Sequence, residues 1–260
     1  MKIIILVDNK TKIDRYLLGE PALSFYIKDN DKSYLFDLGY SDVFLRNALK
    51  LQININNIDS IIFSHGHNDH TGGLFYLKNY YRELKELNIN FKKPKIIAHT
   101  NLFNAKIEKG FGNIGFPVSS SDLNEFFDIN MSNAHVKLSV NLFYLGEIPE
   151  NKNIDCLDDS ALAYITEKGL VIITGCSHSG IENIIKQAKN ITGINQIYTI
   201  IGGLHTIDKN DKEIEDLGYL LFNENIKIIY PCHCSSLKSK IILSKYTNVA
   251  DVCTGDILEF

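Results

Sequence analysis

Three histidines and one aspartate lie within six positions of the run Ser64-His65-Gly66-His67-Asn68-Asp69-His70-Thr71-Gly72-Gly73, which directly follows an apolar strand pattern, Ser60 to Phe63. Alternate residues of an extended chain share a face, so a strand ending in a tight turn at Gly66 can aim His65 and His67 to one side as two ligands of one metal ion. Asp69 and His70 then fall where the next helix begins and can reach a second ion, as two-metal hydrolytic sites require. Imidazole and carboxylate donors suit zinc, iron or manganese. A polar loop whose histidines only cap the helix is the alternative, but four donors at this density would be costly to bury without a metal.

The elements that must position this run alternate between short β-branched segments and longer helical patterns, an α/β rhythm. Strands are expected at Ile3–Val7, Leu23–Ile27, Ser33–Phe36, Ser60–Phe63, Lys95–Ala98, Leu142–Leu145, Leu162–Ile165, Leu170–Ile173, Ile197–Ile201 and Ile226–Tyr230. Helices are expected at Val43–Leu51, Leu74–Leu87, Ile181–Asn190, Lys212–Phe222 and Leu237–Lys245. Hairpin-like turns at Lys28-Asp29-Asn30-Asp31 and Glu167-Lys168-Gly169 make the sheets mixed rather than purely parallel. No internal repeat is visible, although strands followed by helices recur in both halves. The stretch 101–140, with Gly110, Gly112, Gly115, Pro117, serines at 119 to 121 and Asp122, reads as an irregular insertion, either a substrate-facing cover or a surface excursion.

With 260 residues, 45% of them hydrophobic, the chain can bury a substantial core, and a single domain spanning 1–260 is the simplest organisation. A net charge of -4, from 27 basic and 31 acidic residues, gives no electrostatic footprint for nucleic acid or an anionic membrane, so neither is an expected partner. The apolar start, Met1 to Val7, stops at Asp8 and Asn9, too short for a signal-peptide core or a spanning helix, which points to the cytoplasm. Five cysteines, an odd number, do not read as a disulfide framework and are left to packing or metal. No glycine-rich phosphate loop follows a strand, so a nucleotide cofactor has no support.

Ile201-Gly202-Gly203-Leu204-His205 places a histidine beyond a strand and a glycine pair, which would permit close backbone approach to a ligand. His205 is a candidate general acid or substrate contact, with a hydrogen-bonded structural histidine as the equal alternative. His99 and His135 have no partner pattern and are read as structural.

The His-x-His-x-Asp-His run, matched without substitution, resembles the metallo-β-lactamase superfamily, and the resemblance extends over nearly the whole chain. It implies an α/β fold, a four-layer αββα sandwich of two mixed β-sheets. Phe36-Asp37-Leu38-Gly39 is similar to the family's Phe-Asp-Thr-Gly element, with Leu38 in place of the threonine. The resemblance makes Asp37 a residue that orients the metal-binding loop, against the plain reading of an acidic turn residue. In Thr174-Gly175-Cys176-Ser177-His178, Cys176 stands where most members carry the bridging aspartate. It is a ligand on that reading, or a buried small residue. His178, two residues on, would ligate the first metal or act on substrate. In Tyr230-Pro231-Cys232-His233-Cys234, His233 matches the last histidine ligand, and Cys232 and Cys234 should point away from it as packing residues if the segment stays extended. Members usually supply one more histidine before the hairpin at 162–173; here Asp155-Cys156-Leu157-Asp158-Asp159-Ser160 has none. Asp159 or Asp158 would replace it, or His178 would come from the neighbouring loop.

Gly-Cys-Ser-His-x-Gly-Ile, Gly-Gly-Leu-His and Pro-Cys-His-Cys resemble a subgroup related to the dihydropterin ribofuranosyl-aminobenzene phosphate synthases, as does the opening Val7-Asp8-Asn9 with Ala22-Leu23-Ser24-Phe25. The reading that follows is a hydrolase with two divalent metal ions, zinc first and iron or manganese as alternatives. Its substrate is an ester or phosphoester of a small, phosphorylated or pterin-like molecule. Asp69, His178 and His205 are its candidate catalytic residues. A di-iron oxidoreductase, a pterin-pathway synthase-like transferase and a metal-dependent binding protein are the alternatives.

Overall fold

The computed structural model describes residues 1–117, 123–149 and 156–260. The serine run at 119 to 121, Asp122 and Asp155 therefore lie outside the described residues.

Along the chain come β1 (Lys2–Val7), β2 (Ser24–Asp29), β3 (Lys32–Phe36), α1 (Val43–Lys50), β4 (Ser60–Ile62), α2 (Asn68–Thr71), α3 (Gly73–Glu86), β5 (Lys95–Ala98), β6 (Ile107–Glu108), β7 (Gly112–Asn113) and β8 (Asp128–Met131). There follow β9 (Val136–Lys137), β10 (Leu142–Tyr144), β11 (Ala161–Thr166), β12 (Gly169–Thr174), α4 (Ile181–Thr192), β13 (Ile197–Gly202), α5 (Asp211–Asn223), β14 (Ile228–Pro231), α6 (Leu237–Leu243), β15 (Asn248–Val249) and β16 (Ile257–Glu259). They fall into two compact units, Met1–Asn133 with Cys253–Phe260, and Ala134–Val252.

The first unit is built on a seven-stranded sheet in the order β16-β1-β2-β3-β4-β5-β8. Strands β16 to β3 pair antiparallel, and β3, β4, β5 and β8 run parallel. Helices α1 and α3 bury Phe44, Ala48, Leu74, Leu77 and Tyr81 against alternate strand residues such as Ile4, Leu6, Leu35, Ile61 and Ile96. Each large side chain so buried contributes about 1.5–3 kcal/mol. The intervening residues Ile3, Ile5, Phe36 and Ile62 are buried as well, which is why these strands read as continuous apolar runs.

The second unit has its own seven-stranded sheet, β15-β14-β13-β12-β11-β10-β9. Strands β9 to β12 pair antiparallel, and β12 to β15 run parallel with α4, α5 and α6 as crossovers. Ile181, Ile184, Ile185, Ile214, Leu221, Ile242 and Leu243 of those helices pack with Ala163, Ile172, Ile200 and Ile229 of the sheet. Both units thus follow one plan, antiparallel strands and then parallel strands joined by helices, a repeat that the residues themselves do not display.

The expected hairpin turns stand at Asp29↔Lys32 and Thr166↔Gly169. The segment 101–140 is less irregular than expected: it carries the hairpin β6–β7, β8, which extends the first sheet beside β5, and β9 on the edge of the second. No helix among the described residues is long and apolar enough to cross a membrane.

Candidate metal centre

Parallel neighbouring strands bring their carboxyl ends to one sheet edge, the usual place for a ligand in such sheets. In the first unit, β3 and β4 deliver Asp37 and Ser64-His65 to that edge. The loop after β3 and the histidine run are locked together by backbone bonds, Leu38 N–H to His70 O (2.8 Å) and Gly73 N–H to Gly39 O (2.9 Å). Glycine is required there. A Cβ on Gly72 would stand 2.4 Å from the Tyr40 carbonyl oxygen, and one on Gly73 would stand 2.2 Å from that of Leu38.

Asp37 is fully buried at a left-handed φ of 55°. Its Oδ1 accepts from Ser64 N–H (2.8 Å), and its Oδ2 accepts from Ser64 Oγ–H (2.7 Å) and His70 Nδ1 (2.7 Å). A carboxylate only accepts, so the Ser64 hydroxyl hydrogen is committed to Asp37 and His70 carries its proton on Nδ1. Ser64 Oγ can then meet His65 Nδ1, 2.9 Å away, only by accepting, so His65 also carries its proton on Nδ1. In its neutral form each imidazole is thereby left with an Nε2 lone pair.

Those lone pairs face other donor atoms. His65 Nε2 is 3.0 Å from His67 Nδ1, and His70 Nε2 is 3.5 Å from Asp69 Oδ2. Two nitrogens on one tetrahedral zinc, each at 2.0–2.1 Å, stand roughly 3.3 Å apart. Spacing, donor type and tautomer therefore all fit a cation. The carboxylate–histidine contact is also the arrangement that orients metal-bound imidazoles.

In the second unit, Cys176, His205 and His233 follow within three residues of the carboxyl ends of β12, β13 and β14. Ser177 (φ 64°), His205 (φ 46°) and His233 (φ 51°) are all left-handed, a conformation that costs energy in non-glycine residues and collects at functional sites. Potential ligand atoms of Cys176 and His233 lie within 4.8 Å of one another, as do those of Cys156 and His178. The rings of His178 and His205 are 4.3 Å apart between centroids.

Asp159 is buried and holds the turn that carries His178: its Oδ2 accepts from Ser179 N–H (2.8 Å) and Ser179 Oγ–H (2.6 Å). Its Oδ1 is buried with no hydrogen-bond partner among the described residues. Burial pushes the carboxyl up to about 6, although the Ser179 hydrogen bonds oppose that shift. Asp158 faces the Cys156 thiol, with Sγ to Oδ1 at 3.6 Å.

The left-handed His233 breaks the extended alternation assumed for this segment, while the Cys234 thiol packs tightly beside Gly203. It accepts from His205 N–H at 3.2 Å and lies 3.7 Å from the Cys176 carbonyl oxygen. Hydrogen bonding from Cys176, and then from His205, holds the Cys234 thiol well below its ordinary range against the opposing effect of burial. Hydrogen bonding between its ring and the Cys234 thiol pushes the His205 imidazole up, against the lowering effect of burial. Gly203 also has a different purpose from the one expected. A Cβ there would stand 2.4 Å from the Gly175 carbonyl oxygen and 2.5 Å from Cys234 Sγ, so the glycine admits protein atoms rather than a ligand.

A family model described as the metallo-beta-lactamase superfamily matches residues 17–102, which include Asp37 and the whole histidine run. The 7,8-dihydropterin-6-methyl-4-(β-D-ribofuranosyl)-aminobenzene-5'-phosphate synthase of Methanocaldococcus jannaschii is 32% identical, over 92% of this chain and 89% of its own. The chain belongs to the metallo-β-lactamase superfamily. Within the superfamily it falls in the subgroup that resembles this synthase. Tm1679, described as a metal-dependent hydrolase of the β-lactamase superfamily, superposes with a TM-score of 0.83 at 25% identity, covering 100% of this chain and 99% of its own. Zn²⁺-bound PqqB from Methylobacterium extorquens shares the fold, with a TM-score of 0.59 at 10% identity and full coverage of both chains. Metallo-β-lactamase superfamily members typically bind divalent metals such as zinc.

Against the superfamily pattern, the structure gathers Asp37, His65, His67, Asp69 and His70 in one unit, and Asp159, Cys176, His178, His205 and His233 in the other. Cys156, which the sequence reading did not single out, offers a donor near His178. The available signal was that it is a metal-binding residue type in the segment where the usual histidine is missing.

Proposed function

We propose that the chain is a metal-dependent hydrolase of a small ester or phosphoester that uses two divalent ions, zinc foremost, with His65, His67, Asp69 and His70 of the first unit and Cys176, His178 and His233 of the second as candidate ligands. The observation that carries this reading is the Asp37 network, which leaves His65 and His70 with Nε2 lone pairs. Ions held there would supply an activated water and polarise the scissile group, lowering the water's pKa from 15.7 towards ~7. Asp69 accepts the proton of the attacking water. On this reading His178 and His205, whose rings lie 4.3 Å apart, would donate to the leaving group or to the developing anion. Cys234 hydrogen-bonds the His205 side chain, pushing its imidazole up, and also accepts from its backbone N–H.

The similarity to Tm1679 supports hydrolysis, and the name of the 32%-identical relative supports a substrate that is phosphorylated or pterin-like. That relative is a synthase, which favours as a second reading a transferase that acts on the same kind of molecule. A cytoplasmic small-molecule enzyme suits either reading.

The test is metal analysis of protein purified without added metal or chelator, with phosphodiesterase and esterase turnover of wild type and His67→Ala. About two zinc or manganese ions per chain, with turnover lost in the variant, is the expected result. Iron with visible absorbance and no hydrolysis would move the assignment to a redox enzyme. Absence of any bound metal would overturn it.

A further inference from the structure

The hairpin β6–β7 is anchored at its base and open at its tip. Ile114 N–H donates to Lys106 O (2.8 Å), and Asn113 Oδ1 accepts from Lys106 N–H (3.2 Å) and Gly115 N–H (2.9 Å). Lys106 and Gly115 are buried, whereas every residue from Ile107 to Asn113 is exposed. Just beyond the hairpin, Phe116 stands edge-on to Phe103 (4.7 Å) and Phe63 (6.1 Å). Phe63 is the residue between β4 and Ser64, so the hairpin's foot is packed on the segment that carries the histidine run. A second tie is more direct: Asn68 N–H, between His67 and Asp69, donates to Ile114 O at 2.8 Å.

Phe111 lies three residues from Ile114, at most ~11 Å along the chain at 3.3–3.6 Å per residue. Its side chain is 82% exposed. It sits between Gly110 (φ +90°) and Gly112 (φ +82°), and a Cβ on either glycine would meet nothing within 4 Å. The ring therefore stands in open space on a tether fixed to the donor loop. Left there it contributes almost nothing to folding, since burial is what makes an aromatic side chain stabilising. Single exposed aromatics are ordinary. This one is distinguished by its anchorage to the peptide between two metal-donor residues.

We propose that Phe111 is the stacking platform for a planar heteroaromatic ring of pterin type on the substrate, holding it while the ester or phosphoester lies at the donor loop. This inference rests on the substrate class proposed above. Flat aromatic ligands stack on an exposed ring without matched hydrogen bonds, and loss of such a platform typically weakens binding roughly 5- to 150-fold.

The chain contains no tryptophan, so Phe111→Trp creates a single indole reporter. The full-length, metal-loaded protein is titrated with 6-hydroxymethylpterin, with binding followed by pterin fluorescence anisotropy and, in Phe111→Trp, by indole quenching. Saturable quenching is expected in Phe111→Trp. Phe111→Tyr should bind as the wild type does, while Phe111→Ala and Phe111→Leu should bind at least about fivefold more weakly with unchanged melting temperatures. Equal affinity of wild type and Phe111→Ala, or no pterin binding by the wild type, would overturn the inference. Turnover of simple phosphoesters without pterin binding would leave the hydrolase reading intact and remove the platform. Pterin binding that depends on Phe111, without hydrolysis of any ester, would do the reverse.

Discussion

Asp37→Asn is the sharpest perturbation of the centre, because it changes no volume and reverses the hydrogen-bond logic. Asp37 receives three donors from two residues, Ser64 N–H, Ser64 Oγ–H and His70 Nδ1–H. An asparagine has one acceptor oxygen. If its amide nitrogen takes the Oδ2 place, it donates to Ser64 Oγ and His70 Nδ1. The freed Ser64 hydrogen turns to His65 Nδ1, and both imidazoles shift their proton to Nε2, the atoms that face His67 and Asp69. If the amide nitrogen takes the Oδ1 place, it opposes Ser64 N–H in a fully buried site, at a cost of about 1–3 kcal/mol. Removing one outer partner of a metal-bound histidine typically costs 10–100-fold in affinity. Here one carboxylate orients two histidines, so a loss of about 100-fold, near 2.7 kcal/mol, is expected. Competition against a chromophoric zinc chelator measures the affinity, and long-range ¹H–¹⁵N correlations on the metal-free protein read the tautomers. Asp37→Asn protein that is folded, keeps Nδ1–H on His65 and His70, and binds zinc within about twofold of wild type would refute the reasoning.

Asp159, raised to about 6 by burial, binds its proton more tightly in the folded state than in the unfolded chain. The metal-free protein should therefore lose stability as pH rises from about 4 through about 6, by at most about 3 kcal/mol. Asp159→Asn should flatten that slope in urea denaturation across the same range, and a slope unchanged by the substitution would place the proton elsewhere. Gly203→Ala should destabilise the protein by about 1–3 kcal/mol through overpacking against the Gly175 carbonyl and Cys234. Thermal melts check this, and an unchanged melting temperature would show that the contact relaxes freely.

The expected strands and helices at 3–98 and 142–245 stand within a few residues of their observed bounds, because long apolar runs and helical periodicity are local signals. The strands not anticipated are those whose existence depends on a partner. Asp128–Met131 is polar and half-exposed and pairs only with Lys95–Ala98. Ile257–Glu259 has only three residues and meets Lys2–Ile4 from the opposite end of the chain.

The donors followed the same division. Asp69 and the three histidines at 65, 67 and 70 lie within six positions, so residue type and spacing alone marked them as a candidate metal-binding run. The second set, Cys156, Cys176, His178 and His233, is spread over almost eighty residues. Its members meet only because three parallel strands end at one edge and because His205 and His233 turn left-handed there. The sequence by itself determined the α/β class, the principal candidate metal-binding run and the family, since each is written in neighbouring residues or in a motif. Which histidine nitrogen carries a lone pair, that Asp159 holds a loop, and that Cys234 faces His205 were decided by tertiary structure alone. These depend on hydrogen bonds and backbone angles set by packing, which no local pattern encodes.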